Sequence, residues 1–202
     1  FSGDSYLKGS NVTIALNKPP AEKLATQFNV TNGLVFTCYA VDYKAGERGK
    51  PFEVLLTDSN GKPLANVTVY FGINGYVHNK TTDENGVASL PINLQNANTY
   101  TCAVMFMDDE THNATFVSAM IHVNKKPITI SAAAKSYKAT AKTKKYTVTL
   151  KTIKGSSSNG KIYLKKGKLV KLTVNGKTYS GRTNAKGQVT FSLKLTKKGT
   201  FQ

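Results

Sequence analysis

Apolar and polar residues alternate along this chain with a period of two. Phe52-Glu53-Val54-Leu55-Leu56-Thr57 and Val67-Thr68-Val69-Tyr70-Phe71 show the pattern. So do Val87-Ala88-Ser89-Leu90-Pro91-Ile92, Tyr100-Thr101-Cys102-Ala103-Val104 and Tyr146-Thr147-Val148-Thr149-Leu150. Successive side chains of a strand point to opposite faces, so each run predicts a strand with one buried face. No useful length of chain carries a 3.6-residue period, and no helix is predicted. Between the runs stand Asn60-Gly61, Asn74-Gly75, Asn85-Gly86, Asn159-Gly160, Asn175-Gly176 and Lys186-Gly187. Asn-Gly favours positive φ at both central positions of a type I′ turn, so these pairs predict hairpins.

The pattern also repeats. Leu34, Phe36, Cys38, Ala40 and Tyr43 match Ile128, Ile130, Ala132, Ala134 and Tyr137 at an offset of 94. Phe52, Val54 and Leu56 match Tyr146, Val148 and Leu150 at the same offset. Gly75, Thr82, Gly86 and Tyr100 match Gly176, Thr183, Gly187 and Phe201 at 101. The offset changes in the Gly/Ser/Lys-rich stretch 154–168, where a loop absorbs insertions at small entropic cost. Short strands repeating about every 100 residues predict an all-β chain of tandem Ig-like sandwiches.

The hairpin Thr82-Asp83-Glu84-Asn85-Gly86-Val87-Ala88-Ser89-Leu90 resembles that of bacterial-type Ig-like repeats, as in invasin and intimin stalks. Its counterpart is Thr183-Asn184-Ala185-Lys186-Gly187-Gln188-Val189-Thr190-Phe191. Leu172-Thr173-Val174-Asn175-Gly176-Lys177-Thr178-Tyr179 and Leu195–Phe201 resemble Lys-rich repeats of adhesin-like surface proteins of methanogenic archaea. The resemblance implies an extracellular, cell-surface protein that is structural or adhesive, a stalk or a filament subunit.

Against that repeat, residues 33–124 form a first Ig-like domain and 125–202 a second, Lys-rich one. The second stops at Phe201-Gln202, inside the equivalent of its penultimate strand, and so lacks its last strands. Residues 1–16 resemble the missing closing strand, with Val12, Ile14 and Leu16 as its alternating apolar positions. Residues 17–32 are expected to be a linker. The chain begins with Phe1 and reads as a mature or trimmed product, out of phase with its domains. A sandwich lacking a strand offers an apolar groove to an added one. The expected partners are other copies of the chain, joined head to tail by donor strands, or adjacent repeats of one array; the sequence equally allows residues 1–16 to fold back within the same molecule, as in a circular permutation.

Composition changes the picture through charge. The chain has 28 Lys+Arg and 11 Asp+Glu. Residues 33–124 hold five basic and nine acidic residues; residues 125–202 hold twenty basic residues and no acid. No carboxylate chemistry can be built in the second half. An anionic cell-wall polymer or glycan, held by the basic repeat, is the alternative partner. Nucleic acid is not expected, because the basic residues are almost all Lys and the aromatic residues lie at core positions. No run is long and apolar enough for membrane insertion.

Candidate chemistry is sparse. Cys38 and Cys102 both alternate with core residues and predict a disulfide pinning one sheet to the other. It would close a 64-residue loop (102 minus 38) and contribute roughly 4 kcal/mol in the chain-entropy model. Asn11, Asn29, Asn66, Asn79 and Asn113 each open an N-x-Thr sequon and are candidate glycosylation sites. Asn66 and Asn79 lie closest to turns. His112 with Asp108, Asp109 and Glu110 reads as a solvated loop. No catalytic, cofactor or metal residues are assigned, and the chain is not expected to be an enzyme.

Overall fold

A computed structural model describes residues 9, 21–43, 46–153 and 166–201. The chain is all-β, built as two Ig-like sandwiches in tandem. The first uses β1 (Thr26–Val30), β2 (Val35–Tyr39), β3 (Pro51–Asp58), β4 (Thr68–Ile73), β5 (Tyr76–Thr81), β6 (Val87–Pro91), β7 (Asn98–Phe106) and β8 (Thr115–Asn124). One sheet runs β1-β3-β6 and the other β2-β8-β7-β4-β5. The pairings are antiparallel except β2 with β8, which is parallel.

The alternation that predicts these strands fills the space between the sheets. Phe52, Val54 and Leu56 of β3 are 0% exposed, as are Val69 and Phe71 of β4. Phe36 meets Phe52 edge-on at 5.4 Å, and Phe52 meets Phe71 at 6.3 Å. Such T-shaped pairs favour one arrangement beyond the burial of their area.

The second sandwich uses β9 (Ile128–Ala132), β10 (Lys144–Thr152), β11 (Leu169–Val174), β12 (Lys177–Arg182) and β13 (Gln188–Leu193). One sheet runs β13-β10-β9; the other is the pair β11-β12. The repeat holds at the level of single hydrogen bonds. Thr82 Oγ1 accepts from the Val67 N–H at 3.0 Å, and Thr183 Oγ1 from the Lys168 N–H at 2.9 Å. Asp83 Oδ1 accepts from Asn85 and Val87; Asn184 Oδ1 accepts from Lys186 and Gln188. The Gly86 and Gly187 carbonyls accept from the N–H groups of Leu56 and Leu150.

Three expectations are corrected. The stretch 17–32 is not all linker, because Thr26–Val30 forms β1, pairs with β3 and lays Phe28 and Val30 on the core. The offset of 94 fails at the start of the second repeat. Ile130 pairs with Leu150 just as Phe28 pairs with Leu56, so β9 takes the place of β1 and not of β2. Finally, only Asn74-Gly75 and Asn175-Gly176 have positive φ at both residues (53° and 77°, 48° and 68°). At Asn60-Gly61, Asn85-Gly86 and Lys186-Gly187 only the glycine does. There the side chain of Asp58, Asp83 or Asn184 bonds backbone N–H groups two and four residues on, and so sets a different turn. Asn159-Gly160 lies outside the described residues.

The connection between the sandwiches is tied to the first. Lys126 follows β8 and places its Nζ 2.5 Å from Oε2 of Glu47, in the β2–β3 loop. The two side chains are 7% and 0% exposed. The acid comes from the first sandwich and the base from the start of the Lys-rich repeat, and burial shields the pair from salt more than a surface pair.

Gly86 tests the hairpin geometry. Its φ is +75°, and a Cβ there would meet the Leu56 carbonyl oxygen at 2.8 Å. Gly75 has a similar φ (+77°) with nothing within 4 Å. Gly75→Ala is expected to cost about 1 kcal/mol and Gly86→Ala at least twice that, measured by denaturant unfolding.

Candidate functional site: the open groove of the second sandwich

In the first sandwich β7 and β8 lie between β4 and β2 and cover the aromatic core. Cys102, Val104 and Phe106 of β7 join Ala119, Ile121 and Val123 of β8 over it. Among the described residues the second sandwich has no strand in those two places. Its buried core there comprises seven residues, against eighteen in the first. Eight of those eighteen come from β2, β7 and β8, which accounts for most of the difference.

The missing cover leaves a groove of about 770 Å³. Tyr146, Leu172, Val174, Leu193, Leu195 and Phe201 form its apolar floor. The strand register and repeat offsets make Tyr146 and Leu172 the equivalents of Phe52 and Phe71. Those phenylalanines are fully buried, whereas Tyr146 and Leu172 are half-buried. The rim is basic, from Lys135, Lys144, Lys197 and Lys198. Lys144 is held in place, donating to the carbonyls of Ala141 (2.8 Å) and Ala139 (3.4 Å). Tyr137 closes one wall, its hydroxyl donating to the Lys145 carbonyl. Partial burial, and then the neighbouring Tyr146, push its phenol upward. Along the groove β11 presents an edge with no strand partner among the described residues. The groove can therefore supply backbone donors and acceptors together with an apolar floor, the two things an added strand needs.

The structure does not bring the cysteines together. Both are free and buried. Their core-facing parity is as read, but they lie in one sheet, on β2 and β7, with β8 between them. Cys38 stands opposite Val123 and Cys102 opposite Ala119, four residues apart along β8. Two strand spacings alone put about 10 Å between the chains, beyond the reach of a disulfide. Alternation fixes which face a residue takes; it does not fix which sheet.

The sequons are scattered. Asn29 is exposed on β1, and Asn66 is exposed at φ 58° between β3 and β4. Asn79 is exposed on the edge strand β5. Asn113 precedes β8 and donates its carboxamide to the Lys23 carbonyl at 3.3 Å. Asn11, Val12, Ile14 and Leu16 lie outside the described residues. In the acidic loop, Asp108 pairs with Lys23 at 2.6 Å, and that hydrogen bond holds its carboxyl low. Burial acts to raise the Asp109 carboxyl, but bonds from Thr111 and His112 outweigh it and bring it to about 2. The Asp109 carboxylate thus folds its own turn.

Residues 47–124, most of the first sandwich, match the family described as Macroglobulin domain MG4. No curated protein matches the chain. Among solved structures, a tetra-tandem repeat from the extending region of a large adhesion protein is similar at 16% identity and a TM-score of 0.34, over 84% of this chain and 40% of that one. A Ca2+-stabilized adhesin that helps an Antarctic bacterium reach out and bind ice is similar at 19% identity and a TM-score of 0.27, over 86% and 40%. Fibronectin(III)-like modules of Clostridium thermocellum CbhA are similar at 16% identity and a TM-score of 0.31, over 83% and 79%. The chain spans two fifths of the length of the first two.

Two outcomes follow from this geometry. Phe52→Ala is expected to cost about 3–5 kcal/mol, and Tyr146→Ala about 1 kcal/mol, because only the first empties a closed core; calorimetry of the two variants compares them. Burial pushes the Cys38 and Cys102 thiols up to about 11, with Lys50 pulling Cys38 slightly back. Native protein is therefore expected to resist thiol reagents at pH 8 and to expose two thiols on unfolding. The folded state keeps these protons longer than the unfolded one. Their contribution to stability is full below about pH 9 and is lost between roughly 9 and 11. Stability in that window is expected to fall less steeply in Cys38→Ala/Cys102→Ala, as pH-dependent denaturation would record.

Proposed function

We propose that this chain is a structural segment of an extracellular, adhesin-like array, and that the groove of its second sandwich is where one unit joins another. A single observation carries the proposal: the apolar floor over Tyr146 and Leu172 lies open where the equivalent Phe52 and Phe71 are sealed by two strands. The array reading is supported by the two sandwiches in tandem, the hydrogen-bond pattern they share, and the resemblance of the Lys-rich repeat to archaeal surface adhesins. No helix among the described residues is long and apolar enough to cross a membrane.

The occupant is a closing strand supplied by a second copy, of the kind residues 10–16 carry. Val12, Ile14 and Leu16 supply three apolar side chains at alternate positions, the spacing a sandwich core receives. The contact is head to tail and does not close on itself, so it propagates as a filament. The basic repeat also supports a second reading, in which residues 125–202 anchor the chain to an anionic wall polymer or glycan through their lysines.

Sedimentation over a range of protein concentrations tests the joint. The full chain is expected to form head-to-tail oligomers, and a synthetic peptide of residues 9–17 to cap them. Ile14→Asp in both protein and peptide is expected to abolish both effects. A chain that stays monomeric at several hundred micromolar and ignores the peptide would overturn the donor-strand reading. Salt-sensitive retention on an anionic polysaccharide by that monomer would favour the anchor instead.

A further inference from the structure

The outer face of the five-stranded sheet in the first sandwich carries no charge. Its outward positions are Val35, Thr37 and Tyr39 on β2; Phe116, Ser118, Met120 and His122 on β8; Thr99, Thr101, Ala103 and Met105 on β7; Thr68, Tyr70 and Gly72 on β4; and Val77 and Asn79 on β5. None is Lys, Arg, Asp or Glu, in a chain with 39 such residues (28 plus 11). Large apolar side chains stand in the open there: Phe116 is 61% exposed, Val77 68%, Met120 46% and Met105 36%. An uncovered apolar face of this kind marks a surface that something covers.

The register says what stands on it. Asn79 is opposite Tyr70, Tyr70 opposite Met105, and Met105 opposite Phe116. One row thus runs across four strands, about 14 Å from end to end, starting at a sequon asparagine and ending at an exposed phenylalanine. Small residues flank the row: Gly72, Ala103 and Ser118 form the next one, opposite Val77. They leave a shallow floor beside the two aromatic rings. Pyranose rings present apolar C–H faces that stack on the negative face of an aromatic ring, and hydroxyl edges that bond Thr, Ser and Asn.

Size selects the occupant. Five strands averaging about seven residues make a face of roughly 24 by 19 Å, or about 450 Å². A stable protein dimer needs about 800 Å² from each partner. The face is little more than half that. We propose that Asn79 carries an N-linked oligosaccharide that lies back across Tyr70, Met105 and Phe116 and covers this face. In the attachment step Asn79 Nδ2 bonds to the anomeric carbon of a lipid-linked oligosaccharyl diphosphate. The glycosyl–phosphate bond breaks, the lipid diphosphate leaves and Nδ2 loses one proton. Of the other described sequons, none lies on this face, and Asn113 already uses its carboxamide within the protein.

The test is the full chain made in a host that glycosylates N-x-Thr, compared with Thr81→Ala, which removes the sequon and keeps Asn79. Asn79→Gln serves as a second variant. Peptide mapping reads attachment, and hydrogen peroxide footprinting reads cover through methionine sulfoxide. Attachment at Asn79 is expected, with Met105 oxidising at least threefold more slowly than in either variant. Met120 lies four residues further along β8 than Phe116 and is expected to change little. An unmodified Asn79, or a glycan that leaves the Met105 rate unchanged, would overturn the proposal. So would equal protection of Met105 in all three proteins together with a dimer in sedimentation, because the cover would then be a second copy.

Discussion

A sandwich of two sheets holds together because each apolar floor has strands above it. In the first sandwich that closure is Phe52 of the three-stranded sheet packed against Phe36 and Phe71 of the facing sheet, which β8 and β7 complete between β2 and β4. The three-stranded sheet offers only one side of the core. The buried Thr82 hydroxyl and the buried thiols of Cys38 and Cys102 sit within the space the two sheets enclose. The second sandwich keeps the floor and most of the local bonds, and among the described residues it has no such cover. Its described turns are as well formed as those of the first, so turn chemistry does not open the groove; among the described residues, two strand places stand empty there.

That separation clarifies what each level of structure contributes. Hairpins such as β11–β12 are set by local geometry, with Asn175 and Gly176 both at positive φ. Closure is a long-range property, since in the first sandwich β2 reaches β8 across more than eighty residues of chain. Surface character is separate again. The same sheet that seals the core with Val104 and Ile121 turns Met105, Phe116 and Met120 outward, without charge.

Much of this was legible in the residues. Alternation located β3, β4, β6, β7 and β10, and the offset of 101 carried β4, β5 and β6 onto β11, β12 and β13. Period two is a local signal and reports faces faithfully: Cys38 and Cys102 do point into the core. It carries no information on strand order, so two inward cysteines could be read as facing each other when β8 stands between them. β1 was hidden because Thr26-Gln27-Phe28-Asn29-Val30 buries only two apolar side chains. The start of the second repeat was misaligned for a related reason. Ile128 and Ile130 fit either of two strand places by hydrophobicity, and only pairing with β10 distinguishes them. The groove's position was implied by the absent strand, whereas the uncharged outer face needed the register of four paired strands to become visible.

Hydrogen exchange on dilute, monomeric chain compares closure in the two sandwiches directly, because β4 and β11 are equivalent strands with and without a covering neighbour. If the second sandwich is an open copy of the first, every second amide of β11 lacks a strand partner. Those amides should exchange about a hundredfold or more faster than their counterparts in β4. Equal protection of β4 and β11 in the monomer would mean that the groove is filled from within the chain, and would contradict the account.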